Sequence, residues 1–147
     1  MAKYSCNHGT AVGTSLPIVN LTGSSSVQVR IYEFLVSFSG APADVATIFK
    51  MVRTTDAGTG GTALSEYKVN PYQASATGAG VGGTFSGAPT ATDELFRLAV
   101  NQRAAYRWIA REGCEFVSTA ASANGVELLS VSSGGTPTCD TTIYWEE

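Results

Sequence analysis

Apolar positions along much of this chain recur every second residue, the period of a pleated strand with one face turned to a core. Residues 27–38 are β-branched and aromatic with polar residues interspersed, and Ser39-Gly40-Ala41-Pro42 ends the run. Residues 45–53 alternate cleanly, with Val45, Thr47, Phe49 and Met51 on one face and Ala46, Ile48, Lys50 and Val52 on the other. No proline interrupts either run, so both can span a sheet. The rhythm resumes at residues 94–100, where Phe96, Leu98 and Val100 face one way. At residues 105–109, Tyr106 and Trp108 point together and Arg107 and Ile109 lie opposite. Arg111-Glu112-Gly113 reads as a turn into residues 114–117. Asn124-Gly125, a strong hairpin signal, introduces residues 126–131. Residues 134–137 turn once more, and the closing run places Cys139, Thr141, Ile143 and Trp145 on one side. With a short N-terminal strand over residues 3–6, the pattern predicts eight or nine strands.

Residues 92–110 also fit a helix, with Asp93-Glu94 at its N-terminus and arginines after them. The aromatic and β-branched content near the end of that segment favours strands. Residues 54–62 are an exposed loop by composition. Residues 70–89 are Gly-rich with two prolines, which suits a functional arm or a long crossover between sheets. These signals predict a single antiparallel β-sandwich of jelly-roll or Greek-key type with a long Gly-rich mid-chain loop. At 147 residues the chain holds one domain of ordinary size.

Composition sharpens this picture. Hydrophobic residues make up 44% and charged residues 14%, against about 25% charged in an average soluble domain. A surface so poor in charge suits a protein docked against partners better than a free monomer, and self-association follows from the same property. The net charge of −3 gives no basic footprint for nucleic acid, and no apolar run reaches the length of a membrane span. The N-terminus, Met1-Ala2-Lys3-Tyr4-Ser5, lacks the apolar segment of a secretory signal, so a chain kept in the cytoplasm, or released by a route without a signal peptide, is expected.

Candidate chemistry is sparse. Cys6, Cys114 and Cys139 are an odd number without a C-x-x-C pair, and read most simply as buried small hydrophobes. One internal disulfide or an intersubunit bridge is the other reading. Gly78-Ala79-Gly80-Val81-Gly82-Gly83 matches G-x-G-x-x-G, but no helix follows to receive a pyrophosphate, so it reads as loop. His8, the sole histidine, sits in Asn7-His8-Gly9-Thr10 and reads as a turn. Asp56 lacks the alternating acidic ligands of a calcium loop. Asn20-Leu21-Thr22 fits the glycosylation pattern by chance in a chain without a secretory signal. No catalytic residue, cofactor or metal is expected.

One cluster stands out. Arg97, Arg103, Arg107 and Arg111 are four of nine basic residues and interleave with Tyr106 and Trp108, residue types enriched at binding hot spots. A solvated sheet face with two core aromatics is the plainer reading of the same residues. Residues 1–20, with Tyr4 and His8, and residues 70–89, with Tyr72 and Phe85, are the segments expected to reach partners. With the four arginines they make up the candidate partner interface.

The string Asn101-Gln102-Arg103-Ala104-Ala105-Tyr106-Arg107-Trp108-Ile109-Ala110 is followed by Gly113-x-Glu115, Asn124-Gly125 and Glu146-Glu147. Upstream stand Arg30-Ile31-Tyr32-Glu33 and Arg53-Thr54-Thr55-Asp56-Ala57-Gly58-Thr59. Together, from about residue 27 to the end, these resemble the capsid decoration (cement) proteins of tailed bacteriophages. Glu112 departs from that pattern, where proline is expected before the glycine. The resemblance implies a jelly-roll-like sandwich made in the host bacterial cytoplasm and bound on the outside of an icosahedral shell, clamping neighbouring major capsid subunits; the self-association expected from low surface charge leaves dimer and trimer open. Another virion component (tail-tube, head-completion or fibre-associated) and a carbohydrate-binding module using Trp108 or Trp145 are the alternatives.

Overall fold

A computed structural model describes residues 1–73, 80–132, 134–135 and 137–147, and every regular element among them is a strand. In chain order these are β1 (Lys3–Ala11), β2 (Pro17–Thr22), β3 (Arg30–Ser39), β4 (Ala46–Thr54), β5 (Thr62–Ala63) and β6 (Tyr67–Lys68). There follow β7 (Gly80–Gly83), β8 (Ala91–Asn101), β9 (Tyr106–Ile109), β10 (Phe116–Val117), β11 (Gly125–Ser132) and β12 (Thr138–Glu146). The count is twelve rather than eight or nine. The additions are β2 and the short β5, β6 and β7, the last three falling between β4 and β8, while β10 lies within the run expected at residues 114–117.

All pairings are antiparallel, and they follow a simple rule. β1 pairs with β12, β2 with β11, β3 with both β9 and β10, and β4 with β8. This is one long hairpin. Rolled on itself, it brings β12 beside β3 and β11 beside β4, so that two sheets face each other. Sheet A runs β6-β1-β12-β3, with β9 and β10 along the far edge of β3, and sheet B runs β5-β7-β2-β11-β4-β8. The order is that of a jelly roll.

Alternation fills the space between the sheets, as the sequence predicts. Thr47, Phe49 and Met51 of β4 and Cys139, Thr141, Ile143 and Trp145 of β12 are buried. Several bulges adjust the pattern, and two of them bear on the core. Tyr32 is an extra residue on β3, since Tyr144 opposes Glu33 while Trp145 opposes Ile31. That insertion keeps both Ile31 and Phe34 inside, which strict alternation cannot do. Leu95 does the same on β8, so Leu95 and Phe96 both pack on the core. Residues 92–110 are therefore two strands and a corner, not a helix. Gln102 pins that corner, bonding the Ala43 amide (2.9 Å), the Gly134 carbonyl (2.9 Å) and the Thr47 hydroxyl (3.2 Å).

Beside the corner, Phe34, Phe96, Tyr106, Trp108 and Phe116 form one aromatic cluster between the sheets. Trp108 stacks on Phe116 with centroids 4.2 Å apart and on Phe34 at 5.6 Å. Offset ring pairs of this kind add about 1 kcal/mol each to what burial alone gives.

Three local expectations are corrected. Asn124-Gly125 makes no hairpin: β10 belongs to sheet A and β11 to sheet B, so the segment crosses between sheets. Residues 7–10 are strand rather than turn, because β1 continues to Ala11 along β12. The N-terminal segment is not an extension, since β1 lies between β12 and β6 and β2 between β11 and β7.

The Gly-rich region also differs from a free arm. Its two legs run together, Thr55 N–H to the Thr90 carbonyl and Thr59 N–H to the Gly87 carbonyl, both at 3.1 Å. They leave the β4/β8 edge, cross the outer face of sheet B and reach the opposite edge, where β5 and β7 add to β2. We call this the strap. Phe85 rivets it, with its ring over Gly61 and Gly82. A Cβ would come within 2.7 Å of the ring at Gly61 and within 2.8 Å at Gly82, so glycine is what admits the aromatic there. Residues 74–79 of the expected arm, with Gly78-Ala79 of the glycine motif, lie outside the described residues.

Candidate docking surface

The two outer faces of the sandwich differ. That of sheet B is roofed by the strap, and its polar side chains Asn20, Thr54 and Glu127 are at most 2% exposed. Asn20 is therefore closed to glycosylation. That of sheet A carries no such cover among the described residues, and its side chains Leu35, Ser37, Thr142 and Tyr144 remain partly exposed.

Register defines what the open face displays. One row crosses the sheet as Ile109, Glu33, Tyr144, Ser5 and Tyr67. Its ends are the most exposed, Ile109 at 56% and Tyr67 at 55%. The bulge turns Tyr32 onto the same face, with its ring 6.2 Å from Tyr144 and the Lys3 ammonium 4.9 Å from its centroid. Partial burial, then the Glu33, Glu146 and Tyr144 charges, raises the Tyr32 hydroxyl above the ordinary phenol range, so it stays a neutral donor. Behind this row come Arg107, Leu35, Thr142 and Asn7, and then Ser37, Asp140 and Gly9. The last six of these that belong to β1, β3 and β12 line a shallow hollow of about 370 Å³. The face is thus ridged with tyrosines at one end and dished at the other. Two of its polar contacts are internal, Arg107 Nε on Glu33 at 2.7 Å and the Thr142 hydroxyl donating to Asn7 at 2.8 Å.

The structure disperses the expected interface. Arg107 is on the open face of sheet A, whereas Arg97 is on the outer face of sheet B beside Glu94 (3.7 Å). Arg103 and Arg111 are exposed in the turns at opposite ends of β9. Successive strands of a jelly roll change sheets, so residues close in sequence part in space. Tyr72 is 96% exposed in a turn at the β6 edge, where Val69 N–H bonds the Lys3 carbonyl (3.0 Å). Tyr4 and Phe85 are corrected outright. Tyr4 is 2% exposed and stacks on Trp145 at 5.7 Å, and Phe85 is 7% exposed beneath the strap. Tyr32, Tyr67, Tyr144 and Ile109 were not singled out by sequence, because the bulge at Tyr32 and the short β6 leave no periodic signal.

His8 is half-buried between the sheets and bonds the Thr84 hydroxyl at 3.2 Å, and burial lowers its basicity. No carboxylate acts on it among the described residues, so the pair lacks the orienting third member of a nucleophilic relay. No group of three or more His, Cys, Asp or Glu side chains converges among the described residues. The cysteines are unpaired, with Cys6 and Cys139 in the core and their thiols pushed up to about 12 by burial, while Cys114 is exposed. Trp145 is fully buried and Trp108 lies within the aromatic cluster, so neither presents a flat ring to a sugar.

A scan against protein-family models finds no matching family, and searches of curated proteins and of solved structures find no significant match.

Proposed function

We propose that this chain is a structural virion protein that binds the outside of a tailed-bacteriophage capsid and stabilises contacts between major capsid subunits. The observation that carries the reading is the asymmetry of the sandwich, one outer face roofed by its own strap and the other left open across five strands. A face of tyrosines with an exposed isoleucine and the Arg107–Glu33 ion pair suits docking by shape and buried area. The resemblance in sequence supplies the capsid as the surface it meets. The partner is the major capsid protein, the working form is a homo-oligomer, and no reaction is required.

Tyr67→Asp and Ile109→Asp test this directly. Both side chains are more than half exposed, so the variants keep the wild-type circular dichroism and melting temperature. Each is expected to lose co-sedimentation with phage heads that lack the protein. Co-sedimentation equal to wild type would remove the open face from the account. A carbohydrate-binding role gains nothing from the two tryptophans, and a tail or connector role differs in copy number, about a dozen per particle rather than hundreds.

A further inference from the structure

Glu127 is in the middle of β11, between Val126 and Leu128, which face the core. Alternation therefore points its side chain outward, onto the outer face of sheet B. Yet it is 2% exposed, because the strap lies over it, and its Oε2 has no hydrogen-bond partner among the described residues. A buried carboxylate is normally paired or bound to a metal. Here the charge that acts on it is a second carboxylate, Asp56, which stands in the strap and accepts the Gly58 and Thr90 amides at 2.8 and 3.0 Å.

The surroundings of Glu127 are rich in oxygen. Asn20 is its direct cross-strand neighbour on β2. The Thr54 hydroxyl donates to Asn20 Oδ1 at 3.5 Å, and Asn20 Nδ2 donates to the Ala57 carbonyl at 3.4 Å, both at the outer limit of a hydrogen bond. Two residues along β11 on the same face, Gly125 is packed closely against them. A Cβ there would come to 2.4 Å from the Leu21 carbonyl oxygen, 2.9 Å from Asn20 Oδ1 and 3.0 Å from Thr54 Oγ1, so three oxygens crowd the glycine. An unpartnered acid and slack neutral oxygens occur together.

We propose that Glu127, Asn20 Oδ1, Thr54 Oγ1 and the Ala57 carbonyl, with Asp56 as the second negative charge, form a site for a hard divalent cation of the calcium class. Calcium takes six to eight oxygens in irregular geometry, and carboxylate, amide, hydroxyl and carbonyl are its usual donors. Magnesium demands a near-ideal octahedron and gives up its waters reluctantly. The donors come from β2, β4, the strap and β11, so the site has nothing in common with a contiguous calcium loop. Its consequence is mechanical: the ion ties the strap to the sheet it roofs. The inference is independent of what the open face of sheet A meets.

The test is titration of the full chain with calcium chloride, read by isothermal calorimetry and by thermal unfolding in calcium against a chelator. One saturable site is expected, with a rise in melting temperature and added amide-exchange protection at Ala57 and Gly58. Glu127→Gln, which keeps the shape, should bind at least about tenfold more weakly and melt in chelator no lower than wild type. Asp56→Asn should weaken binding as a second, independent variant. A wild-type melting temperature that is the same in calcium, magnesium and chelator overturns the proposal, as does unchanged calcium binding by Glu127→Gln. Should Glu127→Gln fail to fold, the wild-type titration still decides.

Discussion

Replacing Glu127 by glutamine should change how stability depends on pH, and the size of the change follows from the structure. Burial, with Asp56 adding like charge, raises the Glu127 carboxyl from its ordinary 4.5 to about 7. The folded chain therefore holds this proton where the unfolded chain releases it. Below pH 4.5 both states are protonated and the group costs nothing. As pH rises from 4.5 to 7 the unfolded state is favoured, and above 7 the loss is complete. At 1.36 kcal/mol for each tenfold in proton affinity, the loss is about 3 kcal/mol. Glutamine cannot ionise, so in chelator Glu127→Gln should match wild type at pH 4.5 and exceed it by about 3 kcal/mol at pH 8. The assay is urea unfolding at half-unit intervals of pH, reporting the difference between the two proteins. His8 works the other way, because its lowered folded basicity makes stability rise with pH through the imidazole range. It is common to both proteins and cancels in the difference. Saturating calcium should abolish the difference or reverse its sign. A difference that stays within about 0.5 kcal/mol from pH 4.5 to 8 would refute the reasoning, and would mean that the strap does not exclude water from Glu127.

Phe85→Ala should cost about 3 kcal/mol and lower the melting temperature by about 10 °C, with amide exchange accelerated first in residues 55–61; a loss below about 1 kcal/mol would mean that the ring does not rivet the strap. Of the three thiols, Cys114 alone should react with Ellman's reagent in the native protein, with all three reacting in denaturant, because Cys6 and Cys139 are 0% exposed. Prompt native reaction of two or more would place one of the buried pair at the surface. Tryptophan emission should be unchanged across a glycan panel, since Trp108 and Trp145 face the interior; saturable quenching by a sugar would revive the carbohydrate reading.

The all-β class and the inward faces of β4, β9 and β12 were legible because alternation on a half-buried strand is set by side-chain direction alone. The bulges were not, since an extra residue such as Tyr32 or Leu95 is recognised from its partner strand rather than from its neighbours. Composition marked residues 70–89 as loop but not their route. Phe85 finds its place only against Gly61 and Gly82, which are distant in the strand order of an unfolded reading. The arginine cluster failed as a surface for a topological reason: β8 and β9 are consecutive in the chain and belong to different sheets. Glu127 looked like an ordinary outward strand residue. Its burial depends on a strap that leaves the sheet after β4 and returns at β8.

Cryo-electron microscopy of tailed-phage particles assembled in the presence of this chain tests the proposed capsid role most directly. The account predicts hundreds of copies on the outer shell, each with Tyr32, Tyr67, Tyr144 and Ile109 against the major capsid protein and the strap turned away. A few copies at a vertex or tail, or a shell without the protein, would contradict the capsid-stabilising role. Full occupancy with the strap against the capsid would keep the role and overturn the docking face.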